Sequence, residues 1–100
     1  MARVFGLAEL RGETLGKSGD LQGAKTAYRT EIEAYPSNLE AWVGLCVIHG
    51  IERDKGEVYR LLEEMAAANP GPRAKLLAAD TLDAFGDTAG AARWRARVGR

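Results

Sequence analysis

The chain has 100 residues, room for one domain and one modest core, with no second lobe to build a buried cleft. Fourteen Lys and Arg balance fourteen Asp and Glu, which removes a whole-surface attraction to nucleic acid or anionic membrane and leaves only local patches to consider. One cysteine excludes an internal disulfide framework and a multi-cysteine zinc site, and the apolar runs are too short to cross a bilayer.

Taken in chain order, the elements all read as helices. Val4, Leu7, Ala8 and Leu15 mark a first helix, with Gly16 and Gly19 near its end. Leu21, Ala24, Tyr28, Ile32 and Tyr35 recur at spacings of three and four, an apolar stripe that a strand would not produce. Pro36 follows it. Trp42, Leu45, Cys46 and His49 mark a third helix, with Gly50 at its end, and Val58, Leu61, Leu62 and Met65 a fourth. After the turn at Pro70-Gly71-Pro72 come Leu76, Ala79 and Leu82, closed by Gly86, and then a last helix carrying Ala91 and Trp94. Asp20, Asp54 and Asp87 precede the second, fourth and sixth helices, where a short carboxylate accepts from free backbone N–H groups and meets the positive end of the dipole. No window alternates apolar and polar residues long enough to propose a sheet.

These elements repeat. Pro36 and Pro70 lie 34 residues apart, and the same shift pairs Asp20 with Asp54, Gly12 with Cys46 and Tyr28 with Leu62. A third copy is one residue shorter and pairs Leu15 with Leu82, Gly19-Asp20 with Gly86-Asp87, and Ala24 with Ala91. The missing residue is expected in the Pro70-Gly71-Pro72 turn, where a deletion disturbs no helix. Three units, about 5–36, 37–70 and 71–100, therefore fill a single domain spanning 1–100. Small residues at Gly12, Cys46, Ala79, Ala24 and Ala91 let paired helices approach closely at their crossings. Glycines within predicted helices, such as Gly44, Gly56 and Gly90, each cost up to about 1 kcal/mol against Ala, so modest stability is expected.

The order of these residues resembles the tetratricopeptide repeat (TPR) family. Its unit has an aromatic and a Leu-Gly pair on the first helix, then Ala, an aromatic and Pro on and after the second. The second unit supplies Trp42, Leu45, Val58, Leu62 and Pro70; the first supplies Gly12, Leu15, Ala24, Tyr28 and Pro36, with Ala8 and Arg11 in the Trp and Leu places. The third keeps Ala79, Leu82, Gly86 and Ala91 and sets Trp94 one step from the expected aromatic. The resemblance implies an all-α, right-handed α-solenoid of three antiparallel helix hairpins, six helices in all, stacked with a concave and a convex side. It also implies a non-catalytic scaffold that binds a peptide or partner segment along the concave groove, with no cofactor and no metal.

In that family the groove is lined by the first helix of each unit. By position the candidates are Glu9, Glu13 and Lys17, then Val43, Val47 and Ile51, then Arg73, Leu77, Asp80 and Asp83. A carboxylate clamp for chaperone C-termini would need Lys and Asn where this chain has Glu9, Glu13 and Gly44, and Lys with Arg where it has Leu77 and Arg73. Only Arg73 fits, and the acidic pair repels a terminal carboxylate. An apolar floor with acidic flanks suits an extended or helical segment with apolar and basic side chains; ordinary solvated charge over a partly exposed apolar surface is the competing account.

The other constellations read as structure. Cys46 and His49 stand three apart on packing positions, without a second Cys or His to complete a site. Glu63-Glu64 and Asp80 with Asp83 lack a convergent base or metal ligand, and no glycine loop precedes a Lys-Ser/Thr pair. Arg93, Arg95, Arg97 and Arg100 around Trp94 offer stacking and phosphate contact, but nucleic acid is disfavoured against cations complementing a helix C-terminus.

The ends carry a further expectation. TPR arrays commonly close with a polar helix, which nothing after Val98 supplies, while Val4, Phe5 and Leu7 begin almost at Met1. Phe5, Trp94 and Val98 are therefore candidate end surfaces for a partner or for a second copy in a homo-oligomer, unless the chain continues in a longer protein. The glycine-alanine-arginine-rich third unit resembles the terminal repeat of bacterial TPR tails appended to larger proteins, so an accessory tail of an enzyme is the other alternative. Arg3 is followed by Gly6, Glu9 and Arg11 rather than by an apolar signal segment, which makes cytoplasmic the default compartment and membrane insertion disfavoured.

Overall fold

The computed structural model describes residues 4–99; Met1 to Arg3 and Arg100, which enter the sequence reading, lie outside them. Six helices follow one another: α1 (Leu7–Lys17), α2 (Leu21–Ala34), α3 (Leu39–Ile51), α4 (Lys55–Ala68), α5 (Pro72–Ala84) and α6 (Thr88–Val98). The described residues form no strand. Connections of three or four residues keep neighbours in contact, α1 on α2, α2 on α3, α3 on α4, α4 on α5 and α5 on α6, while α3 also touches α1 and α5. The molecule measures 41 × 28 × 16 Å, and its accessible surface of 5920 Å² exceeds the roughly 5,500 Å² of a rounded protein of this mass.

The three predicted caps form. The Asp20 carboxylate accepts from the Gly23 N–H at 2.9 Å, Asp54 from Glu57 at 3.2 Å and Asp87 from Gly90 at 2.9 Å. Each relieves one of the donors that a helix start leaves without an intrahelical partner. The turn before each cap is also the same turn three times. The N–H groups of Asp20, Asp54 and Asp87 reach back to the carbonyls of Leu15, His49 and Leu82 at 2.9, 2.9 and 2.8 Å. Such a six-residue closure needs a left-handed residue just before the Asp. Gly19 and Gly86 take it at φ 91° and 81°, and Arg53 takes it at φ 60°. Gly50, expected to close α3, is instead inside it, against the ring of Phe85. The one-residue slip of the third unit does fall where expected, between α4 and α5, where Pro72 opens α5 and gives up an N–H that needed no partner.

The core runs the length of the array. Ala24 and Tyr28 of α2, Leu45, Cys46 and Ile48 of α3, Val58, Leu62 and Met65 of α4, Ala79 and Leu82 of α5, and Ala91 and Trp94 of α6 are one continuous buried cluster. The small residues let this happen. Tyr28 lies across Gly12 of α1 and Gly44 of α3, and a methyl group on Gly44 would overlap its ring. Gly44, costly to a helix on propensity alone, is thus what admits the aromatic side chain of the preceding unit. Side chains also tie successive units: Lys25 of α2 donates to Glu52 at 2.9 Å, and Tyr59 of α4, at the position matching Lys25, donates to Asp87.

Candidate functional site

The helices α1, α3 and α5 hold the positions from which a groove was expected, and they differ in character. On α3, Val43 is half-buried, while Val47 and Ile51 are 40% and 58% exposed. This line sits one helical turn apart at each step because residues four apart share a face. On α5 the exposed apolar residue is Leu76, at 45%, whereas Leu77 turns inward and packs on the core. Both residues line the same open cavity beside α3, Leu76 as the more exposed of the two. The signal was present in the sequence, because the third unit is one residue shorter and its shift pairs Val43 with Leu76. Leu39, Glu40, Arg73, Leu76, Leu77 and Asp80 border an open cavity of about 460 Å³ between α3 and α5.

Phe85, just past α5, was missed. Its ring, 40% exposed, packs on Gly50, and with Arg53, Val58, Leu82 and Asp87 it lines a second cavity of about 440 Å³. The matching positions of the first two units hold Ser18 and Glu52, so the repeat gives no warning of an aromatic there.

The acidic end is a connected network. Glu9 accepts from Asn38 Nδ2 at 2.8 Å, and the same amide donates to the buried Glu31 at 2.9 Å. Glu31 also accepts from the Gly6 N–H at 2.7 Å. Burial raises the Glu9 pKa above the ordinary carboxylate value; Asn38 opposes this, and Glu40 and Glu31 add like charge to it. Glu13 lies one turn further along α1, exposed, with Lys17 at 3.6 Å. Tyr28 is only 6% exposed, and its pKa is raised by burial first and then by Glu13 and Glu9. The phenol oxygen lies next to Gly44.

The basic end is paired within the molecule. Arg95 reaches Asp80 at 3.3 Å and Asp83 at 2.5 Å, and Arg97 reaches Glu63 at 2.8 Å while stacking 4.0 Å from the Trp94 ring centre. Asp80 and Asp83 are therefore paired with α6, Asp80 while also bordering the cavity beside α3. Trp94 is buried in the core, so it does not offer the end surface expected of it. Val98 is half-buried, and Phe5 is exposed with its ring edge-on to Tyr35 at 5.2 Å. Arg93 is exposed, and Arg100 lies outside the described residues.

Cys46 is fully buried, and burial, with Glu57 adding to it, pushes its thiol up to about 12, so it holds its proton and reacts slowly. His49 is buried too, with neither ring nitrogen hydrogen-bonded; the nearest charge, Glu52, is 3.7 Å from Nδ1. Glu64 is tied to Arg60 at 2.7 Å. Among the described residues, no three His, Cys, Asp or Glu side chains are grouped to hold a metal ion, and no helix is long and apolar enough to cross a membrane.

No family model matches the chain, and no curated protein or solved structure matches it either.

Proposed function

We propose that this chain is a non-catalytic interaction scaffold, three TPR-like helix pairs in a right-handed solenoid that hold a segment of a partner protein along α1, α3 and α5. The observation that carries this reading is the exposure of Val47 and Ile51 on α3 and of Leu76 on α5, with Leu76 lining an open cavity of about 460 Å³ between these helices. A single exposed Leu or Val needs no explanation, but apolar side chains exposed on two helices that share a concavity are where a helical or extended peptide buries its own apolar side chains. The recurring turns and caps support a repeat architecture, because identical local geometry at spacings of 34 and 33 residues orients successive units alike.

A peptide array read with the native chain and with the Val47→Asp, Leu76→Asp double variant tests this. Both sites are exposed, so the variant keeps its helical circular dichroism, and it is expected to lose the bound peptides by at least about tenfold. Peptides retained at full strength overturn the groove.

A second reading, self-association, has its own support at one end. Val4, Phe5, Leu7 and Leu10 are all exposed within the first seven described residues. At the other end the place held by Tyr28 and Leu62 in the first two units belongs to Arg95, exposed and ion-paired, so α6 presents charge outward. Light scattering that shows a dimer growing with concentration, and lost on Phe5→Asp with Leu10→Asp, carries this reading; a monomer at every concentration ends it.

A further inference from the structure

Three departures from the repeat converge on one cavity. Arg53 stands where the outer units have Gly19 and Gly86, Lys55 where they have Leu21 and Thr88, and Phe85 where the first two units have Ser18 and Glu52. All three border the cavity of about 440 Å³ between the turns of the second and third units, together with Gly50, Leu82 and Asp87. Two of the departures also go against local preference. Arg53 holds a left-handed backbone at φ 60° that glycine takes freely, and Phe85 leaves its ring 40% exposed. A strained residue and an exposed aromatic ring on the wall of one concavity are the mark of a binding site, and a plain connecting turn needs neither.

The charges of the cavity are unequally committed. Asp87, the carboxylate on its wall, accepts from the Gly90 N–H at 2.9 Å and from the Tyr59 hydroxyl, and faces Lys55 at 3.7 Å. The acidic neighbours of Arg53 in the chain are engaged as well, Glu52 with Lys25 at 2.9 Å and Asp54 with the Glu57 N–H at 3.2 Å. Arg53 itself is exposed and forms no ion pair among the described residues. From this we infer that the cavity takes a carboxylate side chain, with an apolar or aromatic side chain next to it, from the partner segment: Arg53 receives the carboxylate, and Phe85 with Leu82 the apolar group. The inference rests on the groove reading and names an acidic residue in its occupant. A guanidinium gives two parallel hydrogen bonds to one carboxylate, which an amide of the same shape cannot match. The occupant is a segment, because the cavity is open and adjoins the exposed surface of α3. Gly50 on its wall stands three residues from Val47, a spacing that makes them neighbours on one helix face, and Ile51 follows, 58% exposed.

The probe is a short acetylated, amidated peptide of alanine and leucine with a central glutamate followed by phenylalanine, titrated into the ¹⁵N-labelled protein beside a copy with glutamine for glutamate, the same shape without the charge. The glutamate peptide is expected to give saturable shifts at the amides of Gly50, Arg53 and Gly86, with the glutamine copy at least about tenfold weaker. Arg53→Gly supplies the glycine of the outer turns, so it is expected to keep the native thermal midpoint or raise it while bringing the glutamate peptide down to the strength of the glutamine copy. Arg53→Gln, which leaves a Cβ in the turn, is expected to lose the same preference. Phe85→Ala is expected to weaken both peptides alike. Equal binding of the two peptides with shifts at Val47 and Leu76, or full-strength glutamate binding by the Arg53 variants, removes the subsite and leaves the groove standing. Inorganic phosphate that shifts the same amides as tightly as the peptide shows an anion site with no use for the ring, and overturns the inference as well. Absence of saturable shifts at Gly50, Arg53 and Gly86 also overturns it, and the groove is then judged on the array alone.

Discussion

The turn that joins the two helices of the middle unit and the turns of the outer units have the same backbone and different side chains. Leu15 and Leu82 accept the closing hydrogen bond in the outer units and bury hydrocarbon; His49 does so in the middle and buries an imidazole with both nitrogens unpartnered. Gly19 and Gly86 take the left-handed position in the outer units without cost; Arg53 takes it in the middle against its own Cβ. The middle unit thus violates two local rules that the outer units keep. It is also the unit with neighbours on both sides, α2 and α1 against α3 on one flank and α5 on the other. Stability supplied by stacking is what lets local costs persist there.

Exchanging the residues across the comparison gives the largest effect. Leu82 is 2% exposed, so Leu82→His inserts an imidazole into apolar packing and is expected to cost about 3 kcal/mol in urea unfolding. The reverse exchange, His49→Leu, relieves the unpartnered nitrogens and is expected to stabilise by about 1–2 kcal/mol at pH 7. The two also separate by pH. Burial, with Lys25 and Arg29 adding to it against Glu57 and Glu52, lowers the His49 pKa below its ordinary 6.5. The unfolded chain therefore binds the proton first, and native stability falls as pH drops below about 6.5 until the folded pKa is passed. The advantage of His49→Leu should widen between pH 7 and pH 5; a constant difference would show that His49 is not held neutral by burial.

The caps sharpen the comparison at a smaller scale, since all three units share them. Asp20→Ala and Asp54→Ala each remove one acceptor from a helix start and are expected to cost about 1 kcal/mol. Asp87 carries more, because its second oxygen also accepts from Tyr59 and faces Lys55 at 3.7 Å, partners that hold its carboxyl below the usual pKa. The midpoint for Asp87→Ala is expected to fall further than that of the other two. Three equal losses would mean that the tie between α4 and the last turn contributes nothing.

What could be read from the sequence tracks the range of each interaction. Asp20, Asp54 and Asp87 were legible as caps because a cap is made with an N–H three residues away. The apolar line on α3 was legible because helical period alone sets it. Leu76, the more exposed neighbour of Leu77, was missed because the one-residue slip of the third unit moves the match of Val43 from Leu77 to Leu76. The burial of Trp94 and the pairing of Asp80 and Asp83 with Arg95 went unread for a different reason: both depend on how α6 lies on α5, and local pattern does not contain that. The same holds for Gly44. In its own helix it is a cost, and only Tyr28 arriving from the neighbouring unit makes it a requirement.

Arg53 gives the smallest and cleanest test, because nothing but the backbone conformation separates it from its counterparts. Its side chain is exposed and forms no ion pair among the described residues, so Arg53→Gly removes no tie that would offset the gain. Releasing a Cβ from φ 60° favours the folded state by about 1 kcal/mol, while the extra freedom of glycine in the unfolded chain takes part of that back. A net gain of about 0.5 kcal/mol is expected, or roughly 2–4 °C in the midpoint for a domain of this size. Gly19→Arg places the same residue in the outer turn and should lose a similar amount. If Arg53→Gly destabilises instead, the residue holds the middle turn by a contact that the repeat comparison does not contain, and the equivalence of the three turns ends at their backbone.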